Sequence, residues 1–576
     1  MKKILLILVT GLLLCSCEDF LDTKNYTKKD TSNFPQTAED AEQMIAGIYN
    51  ALNSAFADAD NQAYSKSQLF LSEIASDERY GSAGQNDPLW QALDKLMNYG
   101  YDMMMAAWKI PYQGIFRCNT AIKALPNCVG FRPGQLEEYT GEAYFLRGYF
   151  FFNLAQVFEN VPLPVDPNPA NLPQSPVEDT YGQIASDLQQ AIELLLSAKS
   201  SFPSKGHATK WAAEALMARV FLFYTGYYGK SELPVAGGGS ISKSQVISWL
   251  EDCINNSGHD LLSDFRSLWP YANPYAKEKY KYITDTEVAE RKTIPAWPGD
   301  GHRETVFATN FSNFSDWGTS TGFSNNVVLA FSMRQGDTKN GSEVTFPFYR
   351  GWGAGCVSTN IWNDWDDSDI RKKASILDAR TEYPAGYSLG GDNQWEETGY
   401  WQKKYTGTSA YDNDRYVFNY GVLMYGFPDD ANKWSISNTQ DVVHIRYADV
   451  LLMHSELKED ATGLNRVRDR AGLPPISYSL DAIKRERRFE LAFEGVRYYD
   501  LMRWGDAADA LGRQNGSPIY NGGVETTMKE FAGGYKARYQ ATGGFFPIPE
   551  SQIALSEGVL VQNKGWGSDG INYTGW

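Results

Sequence analysis

Gly141-Glu142-Ala143-Tyr144-Phe145-Leu146-Arg147-Gly148-Tyr149-Phe150-Phe151-Phe152-Asn153-Leu154 is the stretch whose reading decides the fold. Its apolar residues run nearly all round a helical wheel, so a helix over 135–158 must be covered on every side. The pattern returns 72 positions downstream, where Glu214-Ala215, Arg219, Phe221 and Phe223-Tyr224 match Glu142-Ala143, Arg147, Tyr149 and Phe151-Phe152. Upstream, Ala121-Ile122-Lys123-Ala124-Leu125 matches Ala191-Ile192-Glu193-Leu194-Leu195, 70 positions on. A two-helix unit therefore recurs. Neither helix of such a pair can bury its apolar face alone, and stacking the pairs solves this. The expected fold is mainly α: an α-solenoid of tetratricopeptide-like helix pairs with long irregular loops and minor β-strands. Glu142 with Arg147, and Glu214 with Arg219, are expected to be structural pairs inside the stack.

Working outward, helical spacing covers 38–55, 65–75, 103–125, 178–198, 209–227 and 242–256. Pro126 ends the 103–125 helix, and Pro162, Pro164, Pro167 and Pro169 mark a linker. From 258 to 440 the texture changes to Gly, Asn, Asp, Trp and Tyr, with Thr305 to Phe311 the clearest strand. Long aperiodic stretches of this kind carry function more often than scaffold. Helices return at 443–457, 479–493 and 496–511, before a Gly-rich tail. Arg485, Glu486, Arg487, Arg488 and Glu490 have spacings suited to ion pairs on a solvated or interfacial face.

The chain starts with Lys2-Lys3 and an apolar run, Ile4 to Leu14, too short to span a bilayer. Leu14-Cys15-Ser16-Cys17 closes it as a lipobox. Residues 1–16 read as a lipoprotein signal peptide, and 17–35 as an acylated Cys17 with a polar tether. Beyond these lie an N-terminal helical region, 36–257, an irregular region, 258–440, and a C-terminal helical region with its tail, 441–576. The net charge of −17 argues against nucleic acid as a partner, because phosphates demand clustered Lys and Arg. Of the cysteines left after Cys15 and Cys17, Cys118 and Cys128 are close enough in sequence to bridge, but buried free thiols are the expected state of all four.

Several of these segments resemble the SusD/RagB family of outer-membrane nutrient-binding lipoproteins. The resemblance is carried by Ser16-Cys17-Glu18-Asp19-Phe20-Leu21-Asp22 and by the Gly141–Leu154 run with Val161-Pro162-Leu163. Further on, it is carried by Arg446-Tyr447-Ala448-Asp449, by Glu486-Arg487-Arg488-Phe489-Glu490, by Arg503-Trp504-Gly505, and by Pro547-Ile548-Pro549 with Asn563-Lys564-Gly565-Trp566. It implies a lipid-anchored protein of the outer membrane, facing the exterior. It also implies a SusC-like TonB-dependent barrel transporter as partner, and a polysaccharide or oligosaccharide ligand to be delivered to it for uptake and degradation. A peptide-binding lid of the same family and a glycan-degrading enzyme are the alternatives. A lid that gates the barrel without strong ligand selectivity is a third.

Sugar rings offer C–H faces to flat aromatics and hydroxyls to polar side chains. Two regions have that composition. One is the loop with Asp77, Glu78, Arg79, Tyr80, Asn86 and Trp90, which matches the family's N-terminal site-forming loop by position. The other is the irregular middle, with Trp297, Asp316, Trp317, Trp352, Trp362 and Trp365. Trp108, Trp211 and Trp504 lie in helical patterns and read as core. Catalytic readings are poor, and the chain is expected not to be an enzyme. Gly318-Thr319-Ser320-Thr321-Gly322 lacks the flanking strand and helix of a nucleophile elbow. Gly229-Lys230-Ser231 lacks the upstream Gly of a phosphate loop. No cofactor is expected. Asp364, Asp366, Asp367 and Asp369 offer calcium ligands, but Asp369 stands where an EF-hand needs Gly. They read better as the cap of a helix entering at 370.

Overall fold

The computed structural model describes residues 34–57, 62–168, 170–195, 206–313, 323–336, 343–430 and 435–576. The signal segment, Cys17, Asp316, Trp317 and the Gly318-to-Gly322 motif lie outside these residues. Among the described residues no helix is long and apolar enough to cross a membrane.

The N-terminal part is built from α1 (Ala38–Ala57), α2 (Gln68–Ile74), α3 (Pro88–Asp94), α4 (Met105–Ala124), α5 (Gln135–Phe158), α6 (Val177–Leu194), α7 (Lys210–Tyr228) and α8 (Lys243–Asn256). The long helices stack in chain order: α1 on α4, α4 on α5, α5 on α6, α6 on α7 and α7 on α8. The reason lies in α5 and α7, whose Phe145, Phe150, Phe151, Leu216, Phe221 and Phe223 are all buried. Close approach of α4 to α5 needs Gly114, because a Cβ there would sit 2.3 Å from the Phe150 ring. Starts are set locally: Thr209 Oγ1 accepts from the Ala212 amide at 3.1 Å, and Ser242 does the same for α8. The C-terminal part continues the stack through α9 (Tyr447–Lys458), α10 (Thr462–Arg470), α11 (Leu480–Glu490) and α12 (Arg497–Trp504), with α9 packed on α8 and α12 on α7. A short antiparallel ribbon, β1 (Thr305–Thr309) and β2 (Val442–Arg446), lies beside α7.

The architecture is the expected array of helix pairs with irregular insertions; two local expectations are corrected and a third is narrowed. Residues 442–446 are strand, not the first turn of a helix, because Val442, Val443 and Ile445 favour a pleated partner and find β1. Glu142 and Arg147 do not pair, nor do Glu214 and Arg219, because a five-residue offset turns side chains to different faces of a helix. Arg147 instead grips Asp187 on α6 at 2.6 Å, and Arg219 grips Asp449 on α9 at 2.5 Å. Third, of the two faces expected for the α11 charges, solvated or interfacial, the interfacial one holds for all five but Arg485, which is exposed. Glu486, Arg487 and Glu490 are buried, and their partners come from other elements: Arg371 reaches Glu486 at 2.6 Å and Arg487 reaches Asp449 at 2.6 Å. Arg446, at the end of β2, sits among Glu304, Glu490 and Glu494 at 2.5–2.8 Å. Burial alone would raise the Glu490 pKa, but Arg470, Arg446 and Arg371 outweigh it and hold the carboxyl well below its ordinary range.

All four described cysteines are free and buried. Asp369 caps the helix at 370 through the Arg371 amide. The neighbouring aspartates turn to separate partners: Asp364 to Arg488 and Arg513, Asp366 to Ser368, Asp367 to Lys372.

Candidate functional site

The loop after α2 divides into a buried and an exposed half. Asp77 accepts two hydrogen bonds from Arg497, at 2.8 and 2.9 Å, and Arg488 lies 3.4 Å away. Burial pushes its pKa up, but the two arginines pull it well below the ordinary range. Arg79 donates to Glu73 at 2.7 Å and to the Gly355 carbonyl at 3.0 Å, and its guanidinium lies 4.2 Å from the Phe331 ring centre. Arg79 and Tyr80 are fully buried. Glu78 is fully buried as well, and burial, opposed by Arg497 and Arg488, lifts its carboxyl to about 7. The expectation that Asp77, Arg79 and Tyr80 face a ligand is therefore corrected: the two charges are paired inside the protein and Tyr80 is buried with its hydroxyl. The same holds for Trp297, which is 2% exposed and packs edge-on against Tyr420 at 5.2 Å. Trp365 is core, stacked on Phe489, while Trp362 is half-buried on Tyr400 with Lys372 Nζ 4.2 Å above its ring. Trp108 and Trp211 are buried as expected, and Trp504 is half-buried.

The outer half of the loop is different. Gln85 and Asn86 are exposed, and Asp87 precedes α3. Trp90, on α3, is only 6% exposed. Its ring lies 6.5 Å from that of Trp352, nearly parallel, and Trp352 reaches solvent. Tyr64 backs Trp352 from 5.3 Å. Beside this pair Arg334 donates to Asp87 at 3.1 Å and to the Asp392 carbonyl at 3.2 Å. Arg350 lies 3.4 Å from the Asp392 carboxylate. Asn393 is exposed, and Trp395 is half-buried.

One face thus carries a half-exposed indole, Trp352, set among charged and amide groups from three loops. Of the anticipated residues, the structure brings together Trp90 and Trp352, with Asn86 exposed on the loop just before α3. It adds Asp87, Arg334, Arg350, Asp392, Asn393 and Trp395, which sequence reading missed. The signal for Trp395 was present, in Asp392-Asn393-Gln394-Trp395, the same mixture of amide and indole that marked the other loops. Each carboxylate on the face is charge-paired with an arginine. The face presents polar groups held in fixed places by those pairs.

A second surface lies along α4. A groove of about 660 Å³ is lined by Trp108, Tyr112 and Phe116 of that helix, by Pro162 and Pro164, and by Leu555. Phe116 and Leu555 are 51% and 74% exposed, an apolar display that the polar face does not share.

Comparison with known proteins agrees with this fold. A model described as the SusD family matches residues 301–566, and one described as starch-binding associating with outer membrane matches residues 19–222. A SusD-like protein of Bacteroides ovatus is 23% identical, with 96% of each chain covered. Among solved structures, a laminarin binding SusD-like protein is 24% identical with a TM-score of 0.67, covering 92% of this chain and 100% of its own. The surface glycan-binding protein A from Bacteroides thetaiotaomicron, in complex with laminarihexaose, is 21% identical with a TM-score of 0.67 and the same coverage. At that identity the solved structures establish the shared fold alone, while the two models between them match 19–222 and 301–566. The chain belongs to the SusD family.

Proposed function

We propose that this protein captures a polysaccharide or oligosaccharide at the cell surface and passes it, chemically unchanged, to a SusC-like TonB-dependent transporter in the outer membrane. The observation that carries the reading is Trp352, a half-exposed indole fixed against Trp90 with the Arg334–Asp87 pair beside it and Asn86 exposed next to Asp87. A flat apolar plate with polar groups at its rim suits a sugar ring, which has both characters. The names carried by the solved relatives, laminarin binding and surface glycan-binding, point the same way. Acylation at Cys17, with the chain facing the exterior, is part of the proposal, as are contacts from Asp316 and Trp317. The apolar groove along α4 favours a protein partner on the opposite surface type from the glycan. A ring stack of about 1–3 kcal/mol, with a few hydrogen bonds and the cost of ordering, predicts micromolar to millimolar affinity, weak enough for release.

Affinity electrophoresis in gels containing laminarin, starch, xylan or a sulfated polymer tests the reading. At least one gel is expected to retard the wild type, and Trp352→Ala is expected to weaken the retardation markedly. Migration unaffected by any polymer, with binding to a casein peptide mixture, would favour the peptide-binding lid. Release of reducing ends from the bound polymer would make the protein an enzyme.

A further inference from the structure

Trp395, at the edge of the candidate face, and Trp576 form a second cluster of half-buried rings that the Trp352 platform does not use. The Trp395 indole N–H is held by Asn393 Oδ1 at 3.1 Å, and the Trp576 N–H by Glu396 Oε1 at 2.8 Å. The two rings lie 6.4 Å apart, and Phe531 closes on Trp576 edge-on at 5.4 Å. Lys529 Nζ sits 4.8 Å from the Trp576 ring centre. Phe531, Lys529 and Trp395 thus flank Trp576, which packs beside Trp395 and supports it from one side. Each indole has its polar atom tied, so the rings are fixed in angle while part of the Trp395 plate stays in solvent. A half-exposed indole whose angle is fixed in this way has the features argued above for Trp352.

This cluster is continuous with the Trp352 platform. The Trp395 amide donates to the Ala83 carbonyl at 2.8 Å, and Gln394 Nε2 donates to the Gly353 carbonyl at 2.9 Å. One hydrogen-bonded seam therefore holds the residue beside Trp395 to the residue beside Trp352. Chain geometry along that path limits the separation of their Cα atoms to less than about 18 Å. The surface between them is not bare: Arg334, Arg350, the Asp392 carboxylate and Asn393 lie along it. Two plates with polar groups between them fit a ligand with several rings in a row and hydroxyls along its edges.

Resting on the reading of Trp352 as a sugar platform, we infer that Trp395, backed by Trp576, is a second platform on the same face. The ligand class is then an internal stretch of a glycan chain several sugars long, rather than a disaccharide or a chain end. Both plates engage such a chain; short fragments engage only one.

The test uses isothermal titration of the full mature protein with oligosaccharides of two lengths, a trisaccharide and a hexasaccharide, cut from whichever polymer retards it in gels. Trp395→Ala is expected to weaken hexasaccharide binding about tenfold and to leave the trisaccharide unchanged. Trp576→Ala is expected to give a smaller loss of the same kind, with Trp395→Phe close to wild type and melting temperatures unshifted by the Trp395 variants. Trp352→Ala is expected to weaken both lengths. Equal hexasaccharide affinity in wild type and Trp395→Ala overturns the second platform while leaving the first intact. Full binding by Trp352→Ala overturns the first platform, and with it the two-plate reading. A wild type that binds hexasaccharide no better than trisaccharide also overturns the inference, and a wild type retarded by no polymer overturns both readings.

Discussion

Trp90 and Trp352 lie 6.5 Å apart with ring planes 27° from parallel, one buried and one reaching solvent. The buried ring sets the angle of the exposed one. Replacing either with Ala is expected to reduce glycan retardation, by about 5- to 150-fold in affinity for the loss of one stack. Only Trp90→Ala should also destabilise the fold, by about 3–5 kcal/mol, because it empties a core position. Urea denaturation beside affinity gels separates the two. Equal stability losses in both variants would refute the division of labour.

Gly81 touches no ligand in this reading, yet it governs α3. A Cβ at 81 would lie 2.4 Å from the Gln91 Cα and 2.6 Å from the Trp90 carbonyl oxygen, both backbone atoms that cannot turn aside. Gly81→Ala is expected to push α3 outward, weaken glycan binding at least several-fold and lower the melting temperature. Wild-type behaviour in both assays would show that α3 does not set the site.

Arg446 is shared by Glu304, Glu490 and Glu494 in the interior. Truncating one partner of a buried set leaves uncompensated charge, which costs about 3–5 kcal/mol. Arg446→Ala is expected to lose that much stability at neutral pH, and Arg446→Lys to recover only part of it, since an ammonium cannot fork to three carboxylates. Chemical denaturation monitored by tryptophan fluorescence reports both values.

Asp300 and Asp441 lie side by side. The Asp441 amide donates to Asp300 at 3.0 Å, Tyr425 donates to Asp300 at 2.7 Å, and Asn310 donates to Asp441 at 2.6 Å. Burial pushes the Asp300 carboxyl up to about 6. Burial, and then the charge of Asp300, push Asp441 well above its ordinary value. A raised carboxyl keeps a proton in the folded state that the unfolded chain has already released. Its stabilising effect is full below the unfolded value of 3.8 and is lost as pH rises through about 6. Asp300→Asn is therefore expected to be more stable than wild type at pH 8, by on the order of 1–3 kcal/mol, and no more stable at pH 4. Melting curves across that range check it. A stability gain equal at both pH values would rule out the carboxylate pair as its origin.

The helical array was legible because its signal is local. The all-round apolar run at 141–154 and its echo at 214–224 depend only on neighbouring residues, and α5 and α7 appear where the pattern places them. The Asp369 cap was legible for the same reason. Asp77 and Arg79 misled because charge in a loop reads as surface, while the ions that bury them, Arg497 and Glu73, stand at opposite ends of the sequence scale: one distant, one adjacent. Trp352 was visible as an indole in a Gly-rich loop. Arg334 and Asp87 were not, because what makes them a pair is a hydrogen bond across 247 positions.

The long-range seam around Glu73 also dictates an order of assembly. Glu73 accepts from the Gly495 amide 422 positions later, and Gln514 donates to the Ser76 carbonyl across 438. At about 5–20 residues per second, that separation is on the order of 20–90 s of synthesis. Through that interval the first wall of the site exists as sequence without its clamp, its charges in water. Closing so long a loop is the slow kind of folding event, rewarded only when both ends are present. A chain cut short before residue 495 would hold every indole of the glycan face except Trp576 and still have no stable face to present.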